Sequence, residues 1–93
     1  MATAFVLLIV ENRGISEVLQ EIKDLPEVKE AYTTHGMYEI FTRIETDTMP
    51  SLQELVSETI EKIEGIASAL TLIILEPEEE KPTKAPIPPE PDL

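Results

Sequence analysis

The sequence predicts a two-layer α+β sandwich in the order β-α-β-β-α-β, four antiparallel strands with both helices on one face. Three observations predict it. Short apolar, β-branched runs lie at both ends of residues 1–75, two amphipathic stretches with helical spacing lie between them, and the second half repeats the first. An offset of 38 lays Val18, Ile22, Leu25, Val28 and Tyr32 over Val56, Ile60, Ile63, Ile66 and Leu70. Two equivalent βαβ halves, each with a right-handed crossover, assemble into the ferredoxin-like arrangement.

Each element follows from local pattern. Residues 3–11 (TAFVLLIVE) are too short and too β-branched for a helix and read as a strand. Asn12-Arg13-Gly14 interrupts it. Ile15, Val18, Leu19, Ile22 and Leu25 then recur at steps of three and four, the apolar stripe of a helix that Asn12 is placed to cap and Pro26 stops. Residues 28–35 alternate, with Val28, Glu30, Tyr32 and Thr34 on one side. Gly36 marks a turn into a second alternating strand over 38–46, which makes a hairpin. Thr48-Met49-Pro50 opens the second helix, whose stripe is Leu52, Leu55, Val56, Ile60 and Ile63, and Gly65 is placed as its left-handed cap. Residues 67–76 (ASALTLIILE) form the last strand.

Composition excludes several functions. The 93 residues carry 19 acids against 7 bases, a formal net charge of −12. Nucleic-acid binders depend on Lys and Arg to displace phosphate counterions, so no direct nucleic-acid contact is expected. The absence of cysteine removes disulfides, thiolate metal sites and a Cys nucleophile. One histidine, His35, cannot build a multi-histidine metal site, and neither metal nor cofactor is expected. The longest apolar run, Ala4 to Val10, is far shorter than the ~20 residues that span a bilayer. The N-terminus lacks a basic segment and a small-residue cleavage site, which points to a cytoplasmic protein without membrane contact.

Residues 1–75 are expected to form the folded domain and 76–93 an acidic, Pro-rich disordered tail. The tail holds six of the eight prolines and six acids against two lysines, too little apolar surface to offset backbone entropy. It reads as a solubilising segment, with docking to a Pro-binding partner as the rival reading.

The strands say more about partners. In a two-layer sandwich one sheet face looks at water and should alternate polar with apolar. Here Phe5, Leu7 and Ile9 oppose Ala4, Val6, Leu8 and Val10, and Leu70, Leu72 and Ile74 oppose Thr71, Ile73 and Leu75. Both faces of these strands are apolar, more than a soluble monomer tolerates. A second copy, packed sheet to sheet at about 10 Å, covers them most simply.

Chemistry-bearing residues are few. His35 beside Gly36 reads as an exposed turn residue in preference to a general base, because no Asp, Glu or Ser is spaced for a relay. Glu39 either accepts a ligand ammonium or is an ordinary strand carboxylate. Tyr38 reads as packing, with stacking on a ligand as the alternative. Asp47 and Thr48 read as helix caps. Glu78-Glu79-Glu80 offers no defined cation shell. Phosphate loops, nucleophile elbows and paired carboxylates are absent.

The pattern Val28…Tyr32-Thr33-Thr34-His35-Gly36-Met37-Tyr38-Glu39, then Asp47, Leu52, Gly65-Ile66 and Thr71-Leu72-Ile73-Ile74-Leu75, resembles the effector-binding (RAM) domain of the Lrp/AsnC regulators over residues 2–75. The resemblance implies face-to-face dimers that assemble into octamers or decamers, with an amino acid bound between dimers near the hairpin of the second and third strands. Main-chain groups at the hairpin glycine hold the ligand's carboxylate or ammonium. Gly36 matches that glycine, Tyr38 the family tyrosine and Thr71 the second threonine of the closing motif. Glu39 stands where Asp is usual, His35 where Thr is typical, and Ala69 where the first threonine is expected. The implied ligand-binding set is Thr34, His35, Gly36, Tyr38, Glu39 and Thr71. Full-length regulators carry an N-terminal helix-turn-helix domain, whereas the first strand here starts within four residues of Met1. The expectation is therefore a stand-alone effector module. It would be a non-enzymatic amino-acid sensor in transcription regulation, pairing with itself or with a full-length Lrp/AsnC regulator. The alternatives are a small dimeric αβ-barrel enzyme using His35 and an acidic scaffold recruiting a partner through its tail.

Overall fold

A computed structural model of the chain describes residues 1–75; the expectations for the Pro-rich segment lie outside the described residues. The elements run β1 (Ala2–Val10), α1 (Ile15–Lys23), β2 (Val28–Thr33), β3 (Ile40–Thr46), α2 (Met49–Glu54) and β4 (Ile66–Ile74). A π-helical turn over Leu55–Ile60 extends α2, and the Glu61 amide donates to the Val56 carbonyl five residues back at 2.9 Å. The four strands make one antiparallel sheet in the order β2-β3-β1-β4. Among the described residues, no helix is long and apolar enough to cross a membrane.

The sheet's covered face forms the core. Ala4, Val6 and Leu8 of β1 and Ile40 and Ile44 of β3 are fully buried against Val18 and Ile22 of α1 and Leu52 and Ile60 of the second helix. Thr42 is the one polar residue sealed among them, and its hydroxyl donates to the Val6 carbonyl at 3.1 Å, so its burial leaves no donor unpaired. The five expected stripe residues of the second helix are all buried. Thr48 caps this helix by accepting from the Ser51 amide at 3.2 Å.

The 38-residue repeat holds in detail. β1 and β3 begin at Ala2 and Ile40, and β2 and β4 at Val28 and Ile66. Each second strand of a half also begins with a bulge, and the unpaired residues, Lys29 and Ala67, are again 38 apart.

Three local expectations change. Asn12 does not cap α1: Gly14 stands at the N-cap in extended conformation, and Asn12 adopts the left-handed region at φ 59, which its short polar side chain tolerates. Val28 does not share a face with Glu30, because the bulge at Lys29 reverses the alternation. Val28 packs on the core opposite Ile44, and Glu30 turns outward opposite Arg43. Gly65 is left-handed (φ 100) but is not the cap. The helical segment ends at Glu61, and Gly65 lies in the following turn, where an added Cβ would sit 2.9 Å from the Arg13 Cβ.

Candidate functional site

The β2–β3 connection, residues 34–39, is a braced loop with an open tip. The Thr34 amide donates to the Glu39 carbonyl at 2.9 Å, and the Thr34 hydroxyl donates to the Tyr38 carbonyl at 2.8 Å. Glu39 lies just before β3 and not inside it. Its amide donates to the Leu8 carbonyl at 2.8 Å, and its Oε1 accepts from the Val10 amide at 2.8 Å. The carboxylate thus stands in for a strand carbonyl and prolongs the β1–β3 ladder past its last backbone pair, Leu8 with Ile40. Neither sequence reading of Glu39 anticipated this bond, and only the strand register reveals it.

Beyond the brace, His35, Gly36 and Met37 are exposed, Met37 at 80%. Gly36 has φ 152 and open space around the position of a Cβ. None of the hydrogen bonds among the described residues uses the amides of His35, Gly36 or Met37. Successive unengaged amides in a turn suit an anionic group such as a carboxylate. Tyr38 is half-buried at the base of the loop. His35 has no hydrogen bond or ion pair among the described residues that would orient it as a base. No group of three or more His, Cys, Asp or Glu side chains that could hold a metal occurs among them.

Thr34, His35, Gly36, Tyr38 and Glu39 therefore come together. Thr71 does not join them within one protomer. It pairs with Val6 on β4, and β1 lies between β4 and β3. Strand spacing and rise place it roughly 12–15 Å from the loop. It also points to the helix-covered side, which Val6 shares. Surface depressions lie at the corner of Glu11, Asn12 and Glu64–Ala67 and along the outer side of β2.

The uncovered sheet face is the second feature. It carries Phe5, Leu7 and Ile9 of β1 beside Leu70, Leu72 and Ile74 of β4, the last three 41%, 48% and 40% exposed. Phe41 bridges this patch to β2, stacking on Phe5 at 5.5 Å and on Tyr32 at 6.2 Å between ring centroids. Glu30, Arg43 and Glu45, on this face of β2 and β3, form one ion-paired cluster. Hydrogen bonding to Glu30, reinforced by the charges of Glu30 and Glu45, raises the Arg43 pKa against the opposing effect of desolvation. On the far side of the molecule Arg13 donates to Glu21 and to the Glu64 carbonyl, both at 2.8 Å, tying α1 to the turn before β4. Its pKa is raised chiefly by the hydrogen bond to Glu21.

Comparison with known proteins places this geometry. The Lrp/AsnC ligand binding domain matches residues 3–84. The chain is 33% identical over 70 residues to the regulatory protein AsnC of Escherichia coli K12, covering 75% of this chain and 46% of that protein. It is 32% identical over 72 residues to the HTH-type transcriptional regulator FL11 of Pyrococcus furiosus, covering 77% and 47%. It spans about half the length of these curated relatives. Among solved structures, FFRP-DM1 superposes with a TM-score of 0.77 at 36% identity, over 81% of this chain and 100% of that one. E. coli AsnC superposes with a TM-score of 0.74 at 29% identity, over 88% and 56%. A Neisseria meningitidis regulator solved as an L-Met complex shares the fold, with a TM-score of 0.69 at 15% identity over 85% and 53%. The four-stranded sheet and two helices share the fold of these structures, and the chain belongs to the Lrp/AsnC ligand-binding domain family.

Proposed function

We propose that residues 1–75 are a non-enzymatic effector-sensing module that pairs face to face with a second copy and binds a small amino acid near the 34–39 loop. It acts in the cytoplasm in transcription regulation, by self-assembly into dimers and rings of dimers or by mixed assembly with a full-length Lrp/AsnC regulator. The observation that carries pairing is the uncovered sheet face, where Leu70, Leu72 and Ile74 remain 40–48% exposed beside Phe5 and Leu7. Four strands of up to nine residues give a face of about 30 by 19 Å. As accessible surface this approaches the ~800 Å² per partner of a standard interface.

The ligand half of the reading rests on the loop tip. The amides of His35, Gly36 and Met37 can receive a carboxylate, while Thr34 closes the loop on Tyr38 and Glu39, and Glu39 holds it to β1. Tyr38 offers a flat face at the loop base. Thr71, remote within one protomer, contributes only if another protomer brings its β4 to the loop, which fits a site formed between subunits. The Pro-rich residues 76–93 serve as a solubilising extension.

Native mass spectrometry of the full chain, with and without the twenty standard amino acids, tests both halves together. A dimer or higher even assembly with one amino-acid mass per subunit is the expected result. A monomer at every concentration defeats pairing. Titration calorimetry that stays silent across all twenty at millimolar concentration defeats the ligand.

A further inference from the structure

The uncovered face is apolar at its centre, with Thr3, Tyr32 and Ser68 at its margins and a charged cluster at one corner. Crossing it in register, one row reads Glu30, Arg43, Phe5 and Leu72, and the next reads Tyr32, Phe41, Leu7 and Leu70. Glu45 adds a third charge opposite Thr3. Arg43 Nη2 lies 3.2 Å from Glu30 Oε2, and its Nη1 bonds Glu45 Oε2. The Arg43 and Glu45 side chains are each only 26% exposed before any partner arrives. Within this cluster two carboxylates share one guanidinium, a single surplus negative charge; Lys29, whose Nζ donates to the Pro26 carbonyl, lies beside it at the β2 bulge. Nothing on β1 or β4 offsets it, since their outward residues in these rows are Thr3, Phe5, Leu7, Leu70, Leu72 and Ile74.

Charges at the edge of an apolar interface contribute little to affinity and much to the choice of partner. A carboxylate desolvated with its guanidinium in place is tolerated, whereas one stripped of that partner opposes burial strongly. We propose that Arg43 is the specificity-determining residue of this face: by pairing with both Glu30 and Glu45, and so halving their charge, it admits a second copy of this chain and makes pairing fail for a face whose acids are left uncompensated. The inference rests on the self-association reading and adds to it the rule for accepting a partner.

The test is the dimer dissociation constant of the full 93-residue chain by sedimentation equilibrium, at about 50 mM and about 500 mM salt, with folding checked by thermal melting. Arg43→Gln raises the surplus of the cluster to two charges per copy. It should weaken the dimer by about tenfold or more at low salt and recover part of that loss at high salt. The triple variant Glu30→Gln, Arg43→Gln, Glu45→Gln should return to within about threefold of the natural chain, a rescue that lost packing at Arg43 would not give. Glu30→Gln alone keeps Arg43 paired with Glu45 and should leave the dimer as tight or tighter; it decides the matter if Arg43→Gln does not fold. An Arg43→Gln dimer within threefold of the natural one, a triple variant as weak as the single, or a Glu30→Gln dimer more than threefold weaker overturns the proposal. A natural chain that never dimerises defeats the self-association reading itself, whereas a natural dimer indifferent to Arg43→Gln defeats only this inference.

Discussion

Leu7 and Leu8 are neighbours in β1 with opposite fates. Leu8 is fully buried beneath the helices with Val6 and Ala4, while Leu7 stands half-covered on the open face between Phe41 and Leu70. The same contrast runs along β4, where Ile73 packs on the core and Leu72 is 48% exposed. The two faces are alike in chemistry and differ in what covers them. One draws its hydrophobic gain from the chain's own helices during folding. The other still holds roughly 1–2 kcal/mol per large aliphatic side chain, released only when a second surface arrives. Fold stability and the proposed association thus draw on alternate residues of the same strands.

The contrast breaks most visibly at Leu8. Leu8→Ala should lower the unfolding free energy by about 2–5 kcal/mol, the cost of a cavity that packed neighbours cannot collapse into. Urea denaturation should show that loss at every protein concentration. On the open face Leu72→Asp should raise the dimer dissociation constant by about 100-fold. The isolated subunit should unfold within about 1 kcal/mol of the natural one, because the site is already half in water. Sedimentation at several loadings separates the outcomes. If Leu72→Asp unfolds the monomer, or Leu8→Ala acts only on association, the division of labour between the faces is wrong.

What the sequence disclosed follows the same division. Periodicity reports which side chains share a face, so the helix stripes, the two-sided apolarity of β1 and β4 and the 38-residue repeat were all legible. Periodicity does not report register. The bulge at Lys29, which turns Val28 inward, the Glu39 bond to the Val10 amide and the Glu30–Arg43–Glu45 cluster each depend on which residues face one another across strands. No composition signal encodes that. The Asn12 position was misread for a related reason: capping preference ranks Asn among the best N-caps, but the same short amide tolerates φ above zero, and the chain uses it that way two residues before Gly14 takes the cap. Of the candidate site, turn chemistry located the hairpin at Gly36, whereas the ligand-binding set around it was implied by the family resemblance. The separation of Thr71 from that loop was hidden until the strand order placed β1 between them.

The loop brace offers a finer break, at the end of the sheet where both faces meet. Glu39→Ala removes the acceptor for the Val10 amide at a half-buried position and should cost about 1–2 kcal/mol, whereas Glu39→Gln keeps a carbonyl oxygen there and should recover most of it. Hydrogen exchange at the Val10 amide reads the bond directly. Faster exchange in the alanine variant with near-natural protection in the glutamine variant is expected. Equal protection in both would mean that the backbone alone holds this end, and that Glu39 is available to a ligand after all.

The smallest effect belongs to Thr48, and it sharpens the comparison by touching one face only. Thr48 begins the helix that lays Leu52, Leu55, Val56 and Ile60 over the covered side of the sheet, and its hydroxyl oxygen accepts from the Ser51 amide at the exposed first turn. Thr48→Ala leaves that amide to water, so the cost should be about 1 kcal/mol, visible as a modest fall in melting temperature. The uncovered face lies on the other side of a sheet whose ladder is unchanged. The dimer dissociation constant should therefore stay within about threefold of the natural value. A cap variant that weakens the dimer as much as it weakens the fold would show that the helices and the open face communicate through the sheet, and that association reads the state of the core.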